Sequence, residues 1–162
     1  MGNPAVNEQP GSYVSAVGPA ALVDSCVLID VLADDPVWAD WSLDQLERLG
    51  QRGPLVINPL ILAEISPRYE RACDLEAAVA SWPLVRENLP WDAAFVAGQA
   101  FRVYRQTEGL KTSPMPDFCI GAHALVSGMR LLTRDAKRYR GYFPKLSIVG
   151  PDESDSAMGK AL

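Results

Sequence analysis

Short apolar runs recur along this chain, and each but the last is followed by a stretch whose apolar residues return at helical spacing. That alternation limits the possible folds more than any other feature. The runs are Ala20–Val23, Leu55–Ile57, Arg130–Thr133 and Leu146–Val149. They are too short for buried helices and suit buried strands. Between the first two, Cys26–Leu32 reads as one or two helical turns. A second helix starts at Pro36 and turns Trp38, Trp41, Leu46 and Leu49 toward a core. Asn58 and Pro59 have the chemistry of an N-cap and a first helical residue, and the helix they open carries Leu60, Ile61 and Glu64. Tyr69–Leu89 reads as helix with a short extended piece. Trp91–Glu108 is a longer helix, with Ala94, Ala97, Phe101 and Tyr104 on one face and Gly109 as its stop. Asp117 opens the next helix, which Gly128 ends. Strands alternating with helices give an α/β fold: a parallel sheet covered on both faces, joined by right-handed crossovers.

The 162 residues suit one domain. With 48% hydrophobic residues, the composition excludes a disordered chain. Residues 1–19 are rich in Pro, Gly and Ser without apolar periodicity and read as a flexible N-terminal arm. Residues 152–162 read as a flexible C-terminal tail, which leaves 20–151 as the folded unit. The three cysteines stand far apart, none with a partner at metal-ligand spacing, and read as free thiols in a reducing compartment. No apolar run reaches the roughly 18 residues of a membrane span. The first basic residue is Arg48, so the start lacks the positive region of a secretory signal. The expected location is cytoplasmic.

Four acids occupy special places. Asp24 and Asp135 follow strands directly, while Glu64 and Asp117 lie in the opening turns of helices. In an open parallel sheet all such places share the rim beyond the carboxyl ends of the strands, where ligands bind. Two carboxylates about 5 Å apart cost about 3 kcal/mol at an effective dielectric near 20. Several such pairs would consume much of a domain's net stability. Either some carboxyls take up protons, or a cation occupies the cluster. Hard oxygen donors favour Mg²⁺ or Mn²⁺ over zinc, and Mg²⁺ also binds phosphate oxygens. Such an ion serves phosphodiester hydrolysis. Ser25 and Thr133 adjoin two of the acids, and their hydroxyls are placed to orient ligands or waters. Each acid also has a plainer reading: Asp24 and Asp135 as helix caps, Asp117 as a charge complementing a helix dipole, Glu64 as a solvated residue. Asp30, Asp34 and Asp35 read as surface or turn acids. His123, the only histidine, reads as a packing or supporting residue rather than a general base.

The net charge of −5 argues against an anionic partner only if it is evenly spread. It is not. Residues 1–47 hold eight acids and no Lys or Arg, while the remainder holds 15 basic and 12 acidic residues. Arg130–Lys145 contains six basic residues against Asp135 alone. Within it, Arg134–Lys145 interleaves basic residues with Tyr139, Tyr142 and Phe143, a mixture suited to phosphates and unpaired bases. Phe143 reads as core. Arg134 is placed either to clamp a phosphate or to balance the carboxylates.

The segments LVDSCVLIDVL, NPLILAEI, PMPDFCIGAHALVSG and LLTRDAKRYRGYFPKL resemble, in order, the motifs of PIN-domain ribonucleases, closest to the VapC-like toxins of VapBC toxin–antitoxin pairs. The likeness spans about residues 20–151. It implies a three-layer α/β/α domain with a central, mainly parallel five-stranded sheet. It implies an endoribonuclease dependent on Mg²⁺ or Mn²⁺, with the four acids at Asp24, Glu64, Asp117 and Asp135 and the small hydroxyl residues at Ser25 and Thr133. A homodimer and an antitoxin whose tail covers the cleft are the partners it implies. Two alternatives remain open from sequence. One is a catalytically idle scaffold that binds an antitoxin in a repressing complex. The other is a different phosphate enzyme, although the DxD pair of haloacid-dehalogenase-like phosphatases and the Gly-rich dinucleotide fingerprint are missing.

Overall fold

The computed structural model describes residues 18–108 and 115–151. Most of both expected arms, and the helix stop expected at Gly109, fall outside the described residues. Five strands form the sheet: β1 (Ala21–Val23), β2 (Leu55–Ile57), β3 (Leu84–Arg86), β4 (Arg130–Leu132) and β5 (Ile148–Val149). They lie in the order β3-β2-β1-β4-β5, and every pair is parallel. β1 and β2 are buried along their whole length, as strands covered on both faces must be. The edge strands β3 and β5 are partly exposed.

Among the described residues seven α-helices connect them: α1 (Ser25–Leu32), α2 (Ala39–Gly50), α3 (Pro59–Ile65), α4 (Ala72–Ala80), α5 (Trp91–Glu108), α6 (Met115–Val126) and α7 (Ala136–Tyr142). The path runs outward from β1 through β2 to β3, returns through α5 and α6 to β4, then goes out to β5. With right-handed crossovers, α1–α4 cover one face and α5–α7 the other. The packing agrees: α1 lies against α2 and α3, while α5, α6 and α7 lie against one another. The three-layer arrangement therefore holds. Because the path leaves β1 on one side and β4 lies on the other, the strand order reverses between these two, and their carboxyl ends frame the crevice where α/β sheets bind ligands.

Local chemistry explains most boundaries. The Asn58 side chain accepts from the backbone N–H of Ile61 at 3.0 Å, and Pro59 takes the first helical position. Gly128 ends α6 at φ +64°, a left-handed conformation that favours glycine. Three expectations shift. α2 begins after Pro36, because the Asp35 carboxylate accepts from the N–H groups of both Val37 and Trp38 and holds that stretch as a turn. Trp38 and Trp41 are only half-buried, edge to face with each other, while Ser42, Leu46 and Leu49 point inward. On α5 the buried alanines are Ala93 and Ala97, and Ala94 is exposed.

Candidate functional site

Asp24 leaves β1 in extended conformation and caps α1. Its Oδ1 accepts from the backbone N–H of Ser25 at 2.8 Å. Val23 and Leu132 are partners in the β1–β4 register, so the next residues, Asp24 and Thr133, emerge side by side at the switch point. The Thr133 hydroxyl donates to Asp24 Oδ2 at 2.7 Å and accepts from the Asp135 N–H at 3.0 Å. One hydroxyl thus links the first acid to the turn carrying the last. Across the crevice, the Ser25 hydroxyl donates to Glu64 Oε2 at 2.6 Å. Asp117, in the first turn of α6, accepts from Arg138 Nη1 at 2.8 Å, and the same nitrogen stands 3.9 Å from Asp135 Oδ2. Asp24, Asp117 and Glu64 share one electrostatic neighbourhood, and so do Asp117 and Asp135.

Burial sets the protonation chemistry. Asp24 is 6% exposed. Its pKa is pushed up to about 6, first by burial and then by the charges of Asp117 and Glu64, against the pull of the Thr133 and Ser25 hydrogen bonds. Burial also raises Asp117, while Arg138 opposes that rise. Asp135 is exposed, and it caps α7 by position without a side-chain hydrogen bond to the helix. The Cys26 thiol, 3.6 Å from Asp24 Oδ2, is pushed up to about 12 by burial and the neighbouring carboxylate, so it is no thiolate donor.

Three residues matter here that the pattern of acids did not single out. Tyr139 is 1% exposed, and its hydroxyl has no hydrogen-bond partner among the described residues. Burial, with the charges of Asp24 and Asp117, holds the phenol well above its usual range. It therefore fronts the acids rather than stacking bases. The sequence signal was the buried α7 stripe Ala136, Tyr139 and Phe143. Arg138 lies three residues after Asp135, on the same side of one helical turn. Asp30, which reads from sequence as a surface or turn acid, is 1% exposed. It accepts from the Ser42 hydroxyl at 2.7 Å and lies 2.9 Å from Arg134 Nε. Arg134 also sits over the Trp38 ring. Its charge is directed to Asp30 on α1, which ties the β4–α7 turn to the opposite layer.

His123 is fully buried. The Asn58 carbonyl oxygen is taken by Ile61, so its amide donates to His123 Nδ1 at 3.0 Å. The proton then sits on Nε2, 3.5 Å from Glu87 Oε2. Burial lowers the His123 pKa, and the neutral ring joins β2 to α6.

The sequence of residues 21–143 matches the family model of the PIN domain, well over half of the chain. The chain belongs to the PIN domain family. No curated protein sequence matches it. Among solved structures, VapBC2 from Rickettsia felis, bound to a DNA fragment from its promoter, superimposes with a TM-score of 0.64 at 19% identity, covering 82% of this chain and 99% of that one. VapBC-1 from nontypeable Haemophilus influenzae gives 0.62 at 15% identity, with 81% and 97% covered. A toxin-antitoxin complex from Klebsiella pneumoniae gives 0.54 at 20% identity, with 82% and 98% covered. At these identities the likeness is one of fold.

Whether the PIN domain's own residues fit a divalent cation is a question of donor chemistry. Among the described residues, no three His, Cys, Asp or Glu side chains stand close enough to close on one ion by themselves. Arg138 holds Asp117 and Ser25 holds Glu64. Yet the donors are hard oxygens, and the most buried of them resists ionisation. A phenol without a partner among the described residues faces them. That set suits a small cation that keeps several of its waters.

Proposed function

We propose that this PIN domain is a divalent-metal-dependent endoribonuclease, the toxin half of a toxin–antitoxin pair. The observation that carries the reading is Asp24: a buried carboxylate at the topological switch point, pushed up to about 6 with Asp117 and Glu64 among the causes. A cation there relieves a conflict that protein groups leave in place. Bound Mg²⁺ or Mn²⁺ would supply charge neutralisation on the phosphodiester and activation of the attacking water.

In this reading Asp24 and Asp117 hold the ion, directly or through water. Glu64 and Asp135 complete the negative charge and help place a second ion or the attacking water. Thr133 keeps Asp24 Oδ2 in one orientation, and Ser25 does the same for Glu64 Oε2. In-line attack leaves a 5′-phosphate and a 3′-hydroxyl. The solved complexes of similar fold support an antitoxin partner. Exposed apolar residues on α5, with Trp91 93% accessible and Phe95 one turn away, agree with a surface that meets protein, whether antitoxin or a second copy.

The test is incubation of antitoxin-free protein with total RNA, with and without Mg²⁺, followed by mapping of fragment ends. Mg²⁺-dependent fragments with 5′-phosphates, absent with Asp24→Asn, support the reading. Cleavage that ignores both the metal and that substitution would refute it.

A further inference from the structure

A cleft of about 490 Å³ runs between α5 and α7, within the size range of small-molecule sites. Tyr104 lines one side; Asp135, Lys137, Arg138 and Gly141 line the other. Two of these belong equally to the acid cluster, since Arg138 holds Asp117 at 2.8 Å and stands 3.9 Å from Asp135. The cleft is therefore continuous with the carboxylates. Lys137 is exposed and has no ion pair among the described residues. The Tyr104 ring is fixed edge to face against Tyr142 and tilted against Phe118. At Gly141 a Cβ would meet nothing within 4 Å, so the missing side chain keeps this wall open.

We propose that the cleft receives the nucleotide next to the scissile phosphate of a single-stranded RNA, with Lys137 on its phosphate and the base along Tyr104. This rests on the nuclease reading and names where the strand lies. With Arg138 committed to Asp117 and Asp135, the exposed Lys137 remains to take a phosphate. An aromatic wall serves a base only when that base is unstacked, which points to a single strand rather than a duplex. Arg134 contributes nothing to the cleft, because its charge is directed to Asp30.

The experiment is fluorescence anisotropy with a fluorescein-labelled RNA hexamer of mixed sequence, in an Asp24→Asn background so that the probe survives. Gly141→Phe, which fills the cleft from an open helical position, should weaken binding about tenfold by displacing the stacked base. Lys137→Gln should weaken it several-fold and lower the slope of log affinity against log salt by about 0.7. Both proteins should keep the parent's circular dichroism. RNA affinity unchanged in both would overturn the cleft and leave the nuclease reading standing. Hexamer binding through the cleft, combined with no Mg²⁺-dependent cleavage by the unsubstituted protein, would sink the nuclease reading and keep the cleft as an RNA site.

Discussion

Asp24 carries a cost that a test of stability can read. Folding raises its pKa from 3.8 to about 6, so the native state binds the proton more tightly than the unfolded chain does. Ionised Asp24 therefore destabilises the metal-free fold above pH 6, and the penalty disappears as pH falls through 6 toward 4. Asp24→Asn removes it. Urea melts without metal should show the variant gaining stability over the parent between pH 4 and 6, levelling near 3 kcal/mol, about 1.4 per pKa unit. Tyr139→Phe should leave metal-free stability unchanged or raise it by about 1 kcal/mol, since the hydroxyl it removes has no partner among the described residues. A loss of several kcal/mol would mean that the phenol has a partner after all. For Asp30→Ala the expected loss is about 3 kcal/mol, because Arg134 loses its ion-pair partner and Ser42 its acceptor. The rim shared by Asp24 and Asp135 was legible in the sequence, since both follow strands; the Thr133 hydroxyl that links them became visible only in the fold. The burial of Asp30 was not. An aspartate among apolar residues of a short helix looks like a surface acid until Ser42 and Arg134, 12 and 104 residues away, supply its partners.

At the scale of elements, α7 places Arg138 and Tyr139, and its position depends on Gly121. A Cβ at Gly121 would fall 2.4 and 2.6 Å from ring atoms of Phe143 and 3.2 Å from Tyr139. Gly121→Val should therefore push α7 off α6, at a cost of about 1–3 kcal/mol by overpacking. Thermal melts would read the loss, and the cleavage assay should show a drop in activity larger than the lost folded fraction accounts for. An unchanged melting temperature would mean that the contact is loose. Boundaries with strong local chemistry could be read in advance, as at Asn58-Pro59 and Gly128. β3 could not. Leu84–Arg86 is an edge strand, half exposed, with no long apolar run to announce it, and its pairing with β2 decides its state. α2 began late for a related reason: the Asp35 side chain outcompetes the helix for two N–H groups.

For the whole molecule, the alternation of strands and helices sufficed to give a parallel three-layer sheet, because right-handed crossovers leave few arrangements. The order β3-β2-β1-β4-β5 then puts the ends of β1 and β4 side by side, and the remaining two acids come from the first turn of α6, which carries Asp117, and from the last turn of the short α3, where Glu64 meets Ser25. Charge alone misleads at this scale: the total is −5, yet the basic residues gather in Arg130–Lys145 beside the cleft. The central claim is that these carboxylates form a pocket for one kind of guest, a small divalent cation. The most direct test is calorimetric titration of Mn²⁺ into the antitoxin-free protein at pH 7, alongside Asp24→Asn. Saturable binding by the parent, at least tenfold weaker in the variant, is the predicted result. No binding by the parent, or equal binding by both, would contradict it and leave an idle scaffold as the better description of the fold.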